Sequence, residues 1–132
     1  MDKNIQTVRD CYEAFGRGDI PFILSCCADD IDWQSSDSPE IPYAGRYRGS
    51  AGVAEFFHKI VAALEVKSFQ PSTFIASGNE VMTTGSWSGI ARATGKAFTA
   101  AWAMRFVFDR NGKVAWFRPY EDTAQIAAAL RR

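Results

Sequence analysis

Large apolar side chains recur at every second position in one segment near the end of the chain. In residues 97–109 the alternating positions hold Phe98, Trp102, Met104, Phe106 and Phe108. A period of two is typical of a β-strand that presents one face to an apolar environment. The four bulky side chains at positions 102, 104, 106 and 108 supply more apolar surface than a thin layer of helices needs for packing. The pattern therefore favours a cavity behind the sheet.

Three more strands are predicted around this segment. They cover 66–77, 80–91 and 113–121, and the turn signals Gly78-Asn79, Thr94-Gly95 and Asn111-Gly112 separate the four strands. Consecutive strands joined by short turns pair antiparallel with one another. The second half of the chain is therefore predicted to form an antiparallel meander.

Apolar residues spaced by three and four predict helices elsewhere. Asp19 and Pro21 supply an N-cap and a first-turn proline for the second helix, and Ser50 is the expected cap of the third. A strand at 31–35 precedes a long loop at 38–49, and loops of that length often cover sites. The predicted helices span 5–15, 19–27, 50–64 and 123–130.

This order of elements predicts one α+β domain spanning 1–132. Its helices are expected to pack on one face of a curved antiparallel sheet, forming a cone with a central hollow. At 132 residues the chain is long enough to bury one core without disulfides or metals.

Charge and composition narrow the partners. Lys plus Arg equals Asp plus Glu at 15 each, so neither nucleic acid nor a membrane is an expected partner. The first ten residues lack the apolar stretch of a secretory signal, which predicts a cytoplasmic protein. Aromatic residues make up 14% of the chain, a content that fits a lined pocket or a large interface.

Metal and cofactor binding are not expected. The acidic residues Asp29, Asp30 and Asp32 lie close together, but no histidine or glutamate completes a metal-binding set. The three cysteines form no C-x-x-C pair, so buried free thiols are the expected state.

The chain resembles the nuclear-transport-factor-2-like superfamily, in particular its SnoaL-like and ketosteroid-isomerase-like branch. The motifs that carry the resemblance extend over nearly the whole chain: Tyr12-Glu13-Ala14-Phe15, Gly18-Asp19, Ala28-Asp29-Asp30-Ile31-Asp32-Trp33, Tyr47-Arg48-Gly49, Val53, Glu55-Phe56-Phe57, Phe106, Gly112-Lys113-Val114 and Tyr120-x-Asp122. The resemblance implies the conical fold and a homodimer through the sheet. It does not select an activity, because this scaffold carries isomerases, cyclases and non-catalytic binders.

The resemblance also locates the positions that carry chemistry in related enzymes. The tyrosine, the proton-donating acid and the base of ketosteroid isomerases match Cys11, Met104 and Ser35. None of these three residue types can perform the corresponding step, so ketosteroid isomerase activity is predicted to be absent. The remaining acid at a recurring family position is Asp122, with Tyr120 as its assistant.

The orientation of Tyr120 and Asp122 depends on strand register. Pairing of Asp109 with Lys113 puts Met104 on the same face as Tyr120 and Asp122, whereas pairing of Phe108 with Lys113 puts it with Phe117 and Glu121. A bulge at Pro119 is the favoured prediction, with Phe117, Tyr120 and Asp122 all inward. Asp122 is also well placed to cap the last helix, with Gln125 at capping-box spacing.

The predicted function is binding of a small apolar cyclic or aromatic molecule in a central pocket, with acid–base activity of an isomerase, cyclase or lyase type. The alternative is a non-catalytic dimeric binding or interaction module. Small and mixed side chains on the opposite face of the sheet, such as Thr99, Ala101 and Ala103, suit a dimer interface. The predicted pocket residues are Cys11, Phe15, Trp33, Ser35, Phe56, Phe57, Trp87, Trp102, Met104 and Phe117.

Overall fold

A computed structural model describes residues 2–132 and confirms the α+β class. Four helices and six strands follow in the order α1 (Lys3–Gly16), α2 (Ile20–Ser25), β1 (Cys27–Gln34), β2 (Arg46–Arg48), α3 (Gly49–Ala63), β3 (Leu64–Ser77), β4 (Glu80–Ala91), β5 (Ala97–Phe108), β6 (Val114–Glu121) and α4 (Thr123–Leu130). No helix within 2–132 is long and apolar enough to cross a membrane.

The six strands form one curved, unclosed sheet in the order β2-β1-β6-β5-β4-β3. The antiparallel meander of β3 to β6 is confirmed. The expectation of an entirely antiparallel sheet is wrong, because β1 pairs parallel to β6. The predicted loop at 38–49 also contains β2, which pairs antiparallel with β1 through Trp33 and Tyr47.

All four predicted helices form, and they differ from the predictions at some of their ends. Asp19 caps α2 as predicted, accepting a hydrogen bond from the Phe22 amide at 3.2 Å. Helix α3 begins one residue before Ser50, and its N-cap residue, Arg48, makes no side-chain cap. Asp122 stands at the N-cap of α4, but its side chain accepts no capping bond, so the predicted capping box does not form. Helix α2 ends at Ser25, which leaves Cys27 as the first residue of β1.

The register between β5 and β6 decides which side chains face the helices. The irregularity lies next to the turn, where Phe108 pairs with Val114 and Val107 pairs with Trp116, so that Ala115 is the extra residue. An extra residue reverses the parity of the strand beyond it. As a result Phe117 and Glu121 share the inner face of the sheet, opposite Phe106 and Trp102.

The predicted bulge at Pro119 is therefore wrong. The Asp122 amide donates to the Ala101 carbonyl at 3.0 Å, so the hydrogen-bonded pairs of this ladder have the parity of Tyr120. Pro119 lies between two of these hydrogen-bonded pairs, so its backbone nitrogen is directed away from β5. On the β1 side it lies beyond Phe117, which is the last residue of β6 that pairs with β1. No ladder bond requires its missing N–H, and the strand continues without a break.

The core lies between the helices and the inner face of the sheet and is built mainly from aromatic rings. Trp33 packs on Phe117 with ring centroids 4.0 Å apart, and Phe69 stacks on Trp102 at 4.9 Å. Gly85 lies directly opposite Trp102. A Cβ atom at Gly85 would collide with the Trp102 ring and approach the Gln70 carbonyl to 2.5 Å, so the indole occupies space that only glycine leaves free.

Candidate functional site

A cavity of about 80 Å³ lies between the helices and the inner face of the sheet. Because a single water needs roughly 10–15 Å³ on this measure, the cavity has room for several waters or a molecule of about one ring. All ten residues predicted to line a pocket do line this cavity: Cys11, Phe15, Trp33, Ser35, Phe56, Phe57, Trp87, Trp102, Met104 and Phe117.

The position of each ring follows from the alternation of its strand or the stripe of its helix. Trp87 and Trp102 lie on the inward parity of β4 and β5, and both are at most 5% exposed. Phe56 and Phe57 belong to the apolar stripe of α3 and pack on Trp33 at 5.3 and 5.6 Å. The cavity is therefore enclosed by rings from opposite sides.

Four polar atoms in this apolar lining have no hydrogen-bond partner among residues 2–132. They are the Nε1 atoms of Trp33, Trp87 and Trp102 and the Oγ atom of Ser35. A buried donor without a partner costs about 1–3 kcal/mol. A molecule that presents acceptor oxygens to these groups would recover part of that cost, so the cavity is suited to a ring that carries carbonyl or hydroxyl oxygens.

Glu121 is the one carboxylic acid among the described residues that line the cavity. Burial raises its pKa from 4.5 to about 7, because the apolar surroundings disfavour the carboxylate. The Tyr43 hydroxyl donates a long hydrogen bond of 3.5 Å to its Oε1 atom, which acts in the opposite direction. A carboxyl group with this pKa is half ionised near neutral pH and can both donate and accept a proton.

Tyr12 brings a second hydroxyl to the cavity, beside Met104. Its oxygen is hydrogen-bonded to the Thr83 hydroxyl at 2.7 Å and lies 3.2 Å from the Met104 sulfur. Burial raises its pKa, so the group stays neutral. Its hydrogen bond to Thr83 holds the ring against Trp102, with centroids 5.6 Å apart.

The predicted inward orientation of Tyr120 and Asp122 is wrong. Tyr120 is 47% exposed on the outer face of the sheet, under the guanidinium of Arg118, and Asp122 is exposed. Neither residue lines the cavity. The bulge at Ala115 places Glu121 there instead, so the acid that faces the cavity is the residue between the two predicted ones.

Sequence reasoning placed Glu121 on the face of Met104 only in the register that it did not favour, and it missed Tyr43. Alternation from Trp102 across the turn would have identified Glu121 if the extra residue had been placed at Ala115. Tyr43 lies in the segment between β1 and β2, where no periodic pattern indicates the orientation of a side chain. Its ring packs edge-on against Phe56 at 5.9 Å, which directs the hydroxyl towards Glu121.

The chain belongs to the SnoaL-like domain family, whose model matches residues 8–117. Solved structures with the same fold are NTF2-like proteins, so the predicted superfamily is also confirmed. The comparison with curated proteins gives no match.

Three solved structures illustrate the likeness. An NTF2-like protein of unknown function from Burkholderia pseudomallei is 29% identical, with 100% of both chains covered and a TM-score of 0.89. An NTF2-like protein from Burkholderia xenovorans is 33% identical over 97% of this chain and 95% of its own, with a TM-score of 0.84. TerC, co-crystallised with polyporic acid, is 24% identical over 98% of each chain with a TM-score of 0.87, a likeness that shows the fold.

The raised pKa of Glu121 makes the stability of the fold depend on pH. Between pH 4.5 and about 7 the folded protein binds more protons at Glu121 than the unfolded chain does. The free energy of unfolding therefore falls as the pH rises through this window, by up to about 3 kcal/mol. In Glu121→Gln this loss is absent, so the stability of the variant relative to wild type should rise by about that amount from pH 4.5 to pH 8.

Urea unfolding of both proteins at several pH values measures this difference. Glu55→Gln is the control, because Glu55 is an exposed carboxylate on α3 that pairs with Lys59. Its effect should stay within about 0.5 kcal/mol at every pH. A difference between Glu121→Gln and wild type that does not change with pH would contradict a buried, protonated Glu121.

Proposed function

We propose that this domain binds a small cyclic or aromatic molecule that carries acceptor oxygens, and that Glu121 exchanges a proton with it. The observation that carries the proposal is a single carboxyl group with a pKa of about 7 at the edge of an aromatic cavity. The acceptor oxygens in the proposal rest on the indole N–H groups of Trp33, Trp87 and Trp102. These donors have no hydrogen-bond partner among residues 2–132 and could donate to such oxygens.

Binding is expected to be weak for a one-ring molecule. Burial of a phenyl-sized group contributes about 1.5–3 kcal/mol, and each indole N–H that gains an acceptor adds about 0.5–1.5 kcal/mol. The sum corresponds to dissociation constants in about the millimolar to tens-of-micromolar range. A natural ligand that binds more tightly must either fill the cavity more completely or widen it.

In this proposal Glu121 has the acid–base role that the sequence analysis assigned to Asp122. The chemistry that fits one carboxyl group of this pKa is transfer of a proton to or from a carbon next to a carbonyl, the step shared by isomerase, cyclase and lyase reactions. The carbonyl oxygen would accept hydrogen bonds from the indole N–H groups, which stabilise the negative charge that develops on it. Tyr43 would help to hold the Glu121 carboxyl in place through its hydroxyl.

A matched pair of ligands tests the binding part. Acetophenone and ethylbenzene have similar size and shape, but only acetophenone offers an acceptor oxygen. Acetophenone is expected to quench tryptophan fluorescence with at least about fivefold tighter binding than ethylbenzene, because one added hydrogen bond contributes about 1 kcal/mol. Polyporic acid, with which TerC was co-crystallised, serves as a larger member of the series.

Two variants locate the binding. Trp87→Phe should weaken acetophenone binding and leave that of ethylbenzene unchanged within about twofold, because it removes one donor. Trp116→Phe is the control, since Trp116 lies outside the cavity, beside Arg105. Equal affinities for the two ligands would refute the hydrogen-bonding role, and the absence of quenching by every ligand would favour the non-catalytic interaction module.

Exchange of deuterium into the methyl group of acetophenone, followed by NMR in D₂O, tests the proton transfer. Wild type is expected to accelerate exchange over buffer, and Glu121→Gln should lower that rate by about 10²-fold or more because it removes the acid–base group. Asp122→Asn is the neighbouring control and should leave the rate unchanged. Loss of exchange in Asp122→Asn alone would return the role to Asp122, and ligand binding without exchange would favour a non-catalytic binder.

We also propose that the chain forms a homodimer through the outer face of the sheet. Met82 and Tyr120 are 40% and 47% exposed on this face, and the small residue Ala103 is paired with Tyr120 there. Exposed apolar side chains around small residues are suited to a two-fold symmetric contact.

Analytical ultracentrifugation tests the dimer. At micromolar concentration the mass is expected to be twice the 14.6 kDa of the chain. Ala103→Glu should weaken the association about tenfold or more, because it brings like charges together near the two-fold axis. Lys67→Glu, a charge change at an exposed position on β3, is the control and should not alter the mass. A monomer in wild type at these concentrations would contradict the proposal.

A further inference from the structure

Three cysteines line the cavity, one from α1 and two from the junction between α2 and β1. Cys11 belongs to α1, Cys26 follows α2, and Cys27 begins β1, and all three line the cavity. Cys11 and Cys27 are 8% and 7% exposed, whereas Cys26 is more accessible. All three are free thiols, and Cys11 and Cys26 are close enough for each to shift the pKa of the other.

The surroundings of the three thiols differ in ways that single out Cys26. The thiol of Cys27 donates to the Ile23 carbonyl at 3.4 Å, and burial raises its pKa to about 12. The neighbouring Cys26 side chain, together with burial, raises the pKa of Cys11, so the Cys11 sulfur keeps its proton. Cys26 is thus the most accessible of the three thiols and the one that loses its proton first.

Several groups around Cys26 act on its charge. The neighbouring Cys11 side chain is the largest influence and lowers the pKa of Cys26 to about 6, with Ser25 and Lys113 acting in the same direction. Burial and the carboxylate of Asp10 oppose them. Lys113 is held in place by a 2.8 Å hydrogen bond from its ammonium group to the Ser25 carbonyl, at the end of α2.

We propose that Cys26 is a covalent modification site for neutral, ring-sized α,β-unsaturated carbonyl compounds that enter the cavity. The inference stands on the thiol cluster and the cavity and does not require Glu121 to act. The aromatic lining accepts the apolar part of such a compound, and the cluster presents one accessible sulfur to it. Addition of a thiolate is the reaction that a ring-sized enone undergoes with cysteine.

The reaction balances without any oxidant or further reactant. The Cys26 thiolate attacks the β-carbon of the unsaturated carbonyl, so a C–S bond forms and the C=C π bond breaks. The electron pair of the π bond moves towards the carbonyl oxygen, which gives an enolate. Water protonates the α-carbon, and the product is a saturated thioether with the carbonyl restored.

N-ethylmaleimide is a suitable probe, because it is a neutral one-ring compound with an activated double bond. At pH 6 a thiol of pKa about 6 is about half ionised, against roughly 1 in 300 for an ordinary cysteine. The lower nucleophilicity of a less basic thiolate offsets about tenfold of this advantage. Cys26 should therefore react about tenfold faster than N-acetylcysteine at pH 6.

Intact-mass spectrometry and peptide mapping of the wild-type protein identify the modified residue, so the result does not depend on a variant that folds. A single adduct on Cys26 is expected. Cys26→Ser should lose that adduct, and Cys27→Ser should keep its rate within about twofold. Cys11→Ala should keep the adduct but move the midpoint of its pH–rate profile upwards, because the neighbouring thiol that lowers the pKa of Cys26 is lost. Circular dichroism of each variant verifies the fold.

Two outcomes would overturn the proposal. One is labelling of Cys11 or Cys27 at a rate equal to that of Cys26, or a rate at Cys26 no higher than that of N-acetylcysteine. The other concerns entry through the cavity, which a maleimide with a sulfonate group tests. For each reagent the rate with the protein is divided by the rate with N-acetylcysteine. This ratio should be at least about tenfold lower for the sulfonated maleimide than for N-ethylmaleimide, since a charge is costly in an apolar site. Equal relative rates would show that the sulfur is simply a surface thiol. Acetophenone is not an electrophile, so failure of this proposal leaves the binding and exchange experiments unaffected.

Discussion

The register between β5 and β6 is the constraint on which the candidate site depends. One extra residue at Ala115 sets the parity of β6, so that Phe117 and Glu121 face Phe106 and Trp102 on the inner face of the sheet. Without that residue, Arg118 and Tyr120 would face the aromatic core, where an arginine would need a partner charge. Burial of Phe117 on the inner face and the outward position of Arg118, where it pairs with Asp37, thus act together to fix this register.

The parts of the structure that repeat regularly could be predicted from the sequence, and the parts that depend on one irregular position could not. Alternation identified Trp87, Trp102 and Met104 as inward residues of long strands, and helical spacing identified Phe56 and Phe57. The bulge at Ala115 has no comparable signal, because alanine carries neither the shape of proline nor the freedom of glycine. Pro119 carried the conventional signal for a bulge, yet its position in the ladder needs no donor. Strand β2 and the parallel pairing of β1 also escaped prediction, since long-range pairing of a short edge strand leaves little trace in local pattern.

The same cavity influences two of its ionisable groups in opposite directions. Glu121 has only one long hydrogen bond to offset its burial, so its neutral form is favoured. Around Cys26, the side chains of Cys11 and Ser25 and the ammonium group of Lys113 lower the pKa by more than partial burial raises it. The mostly aromatic cavity is therefore lined by a carboxyl group that is half ionised near pH 7 and by a thiol that is half ionised near pH 6.

Gly85 has a consequence for the size of what the cavity can hold. The Trp102 indole lies across the glycine in the space that a side chain would fill, with Phe69 stacked on its other surface. The inner surface of the sheet is recessed there by the thickness of one methyl group. Any larger residue at position 85 would lift the indole towards the helices and reduce a volume of only about 80 Å³. A residue that does not line the cavity therefore sets its depth, and with it the largest ring that can be admitted.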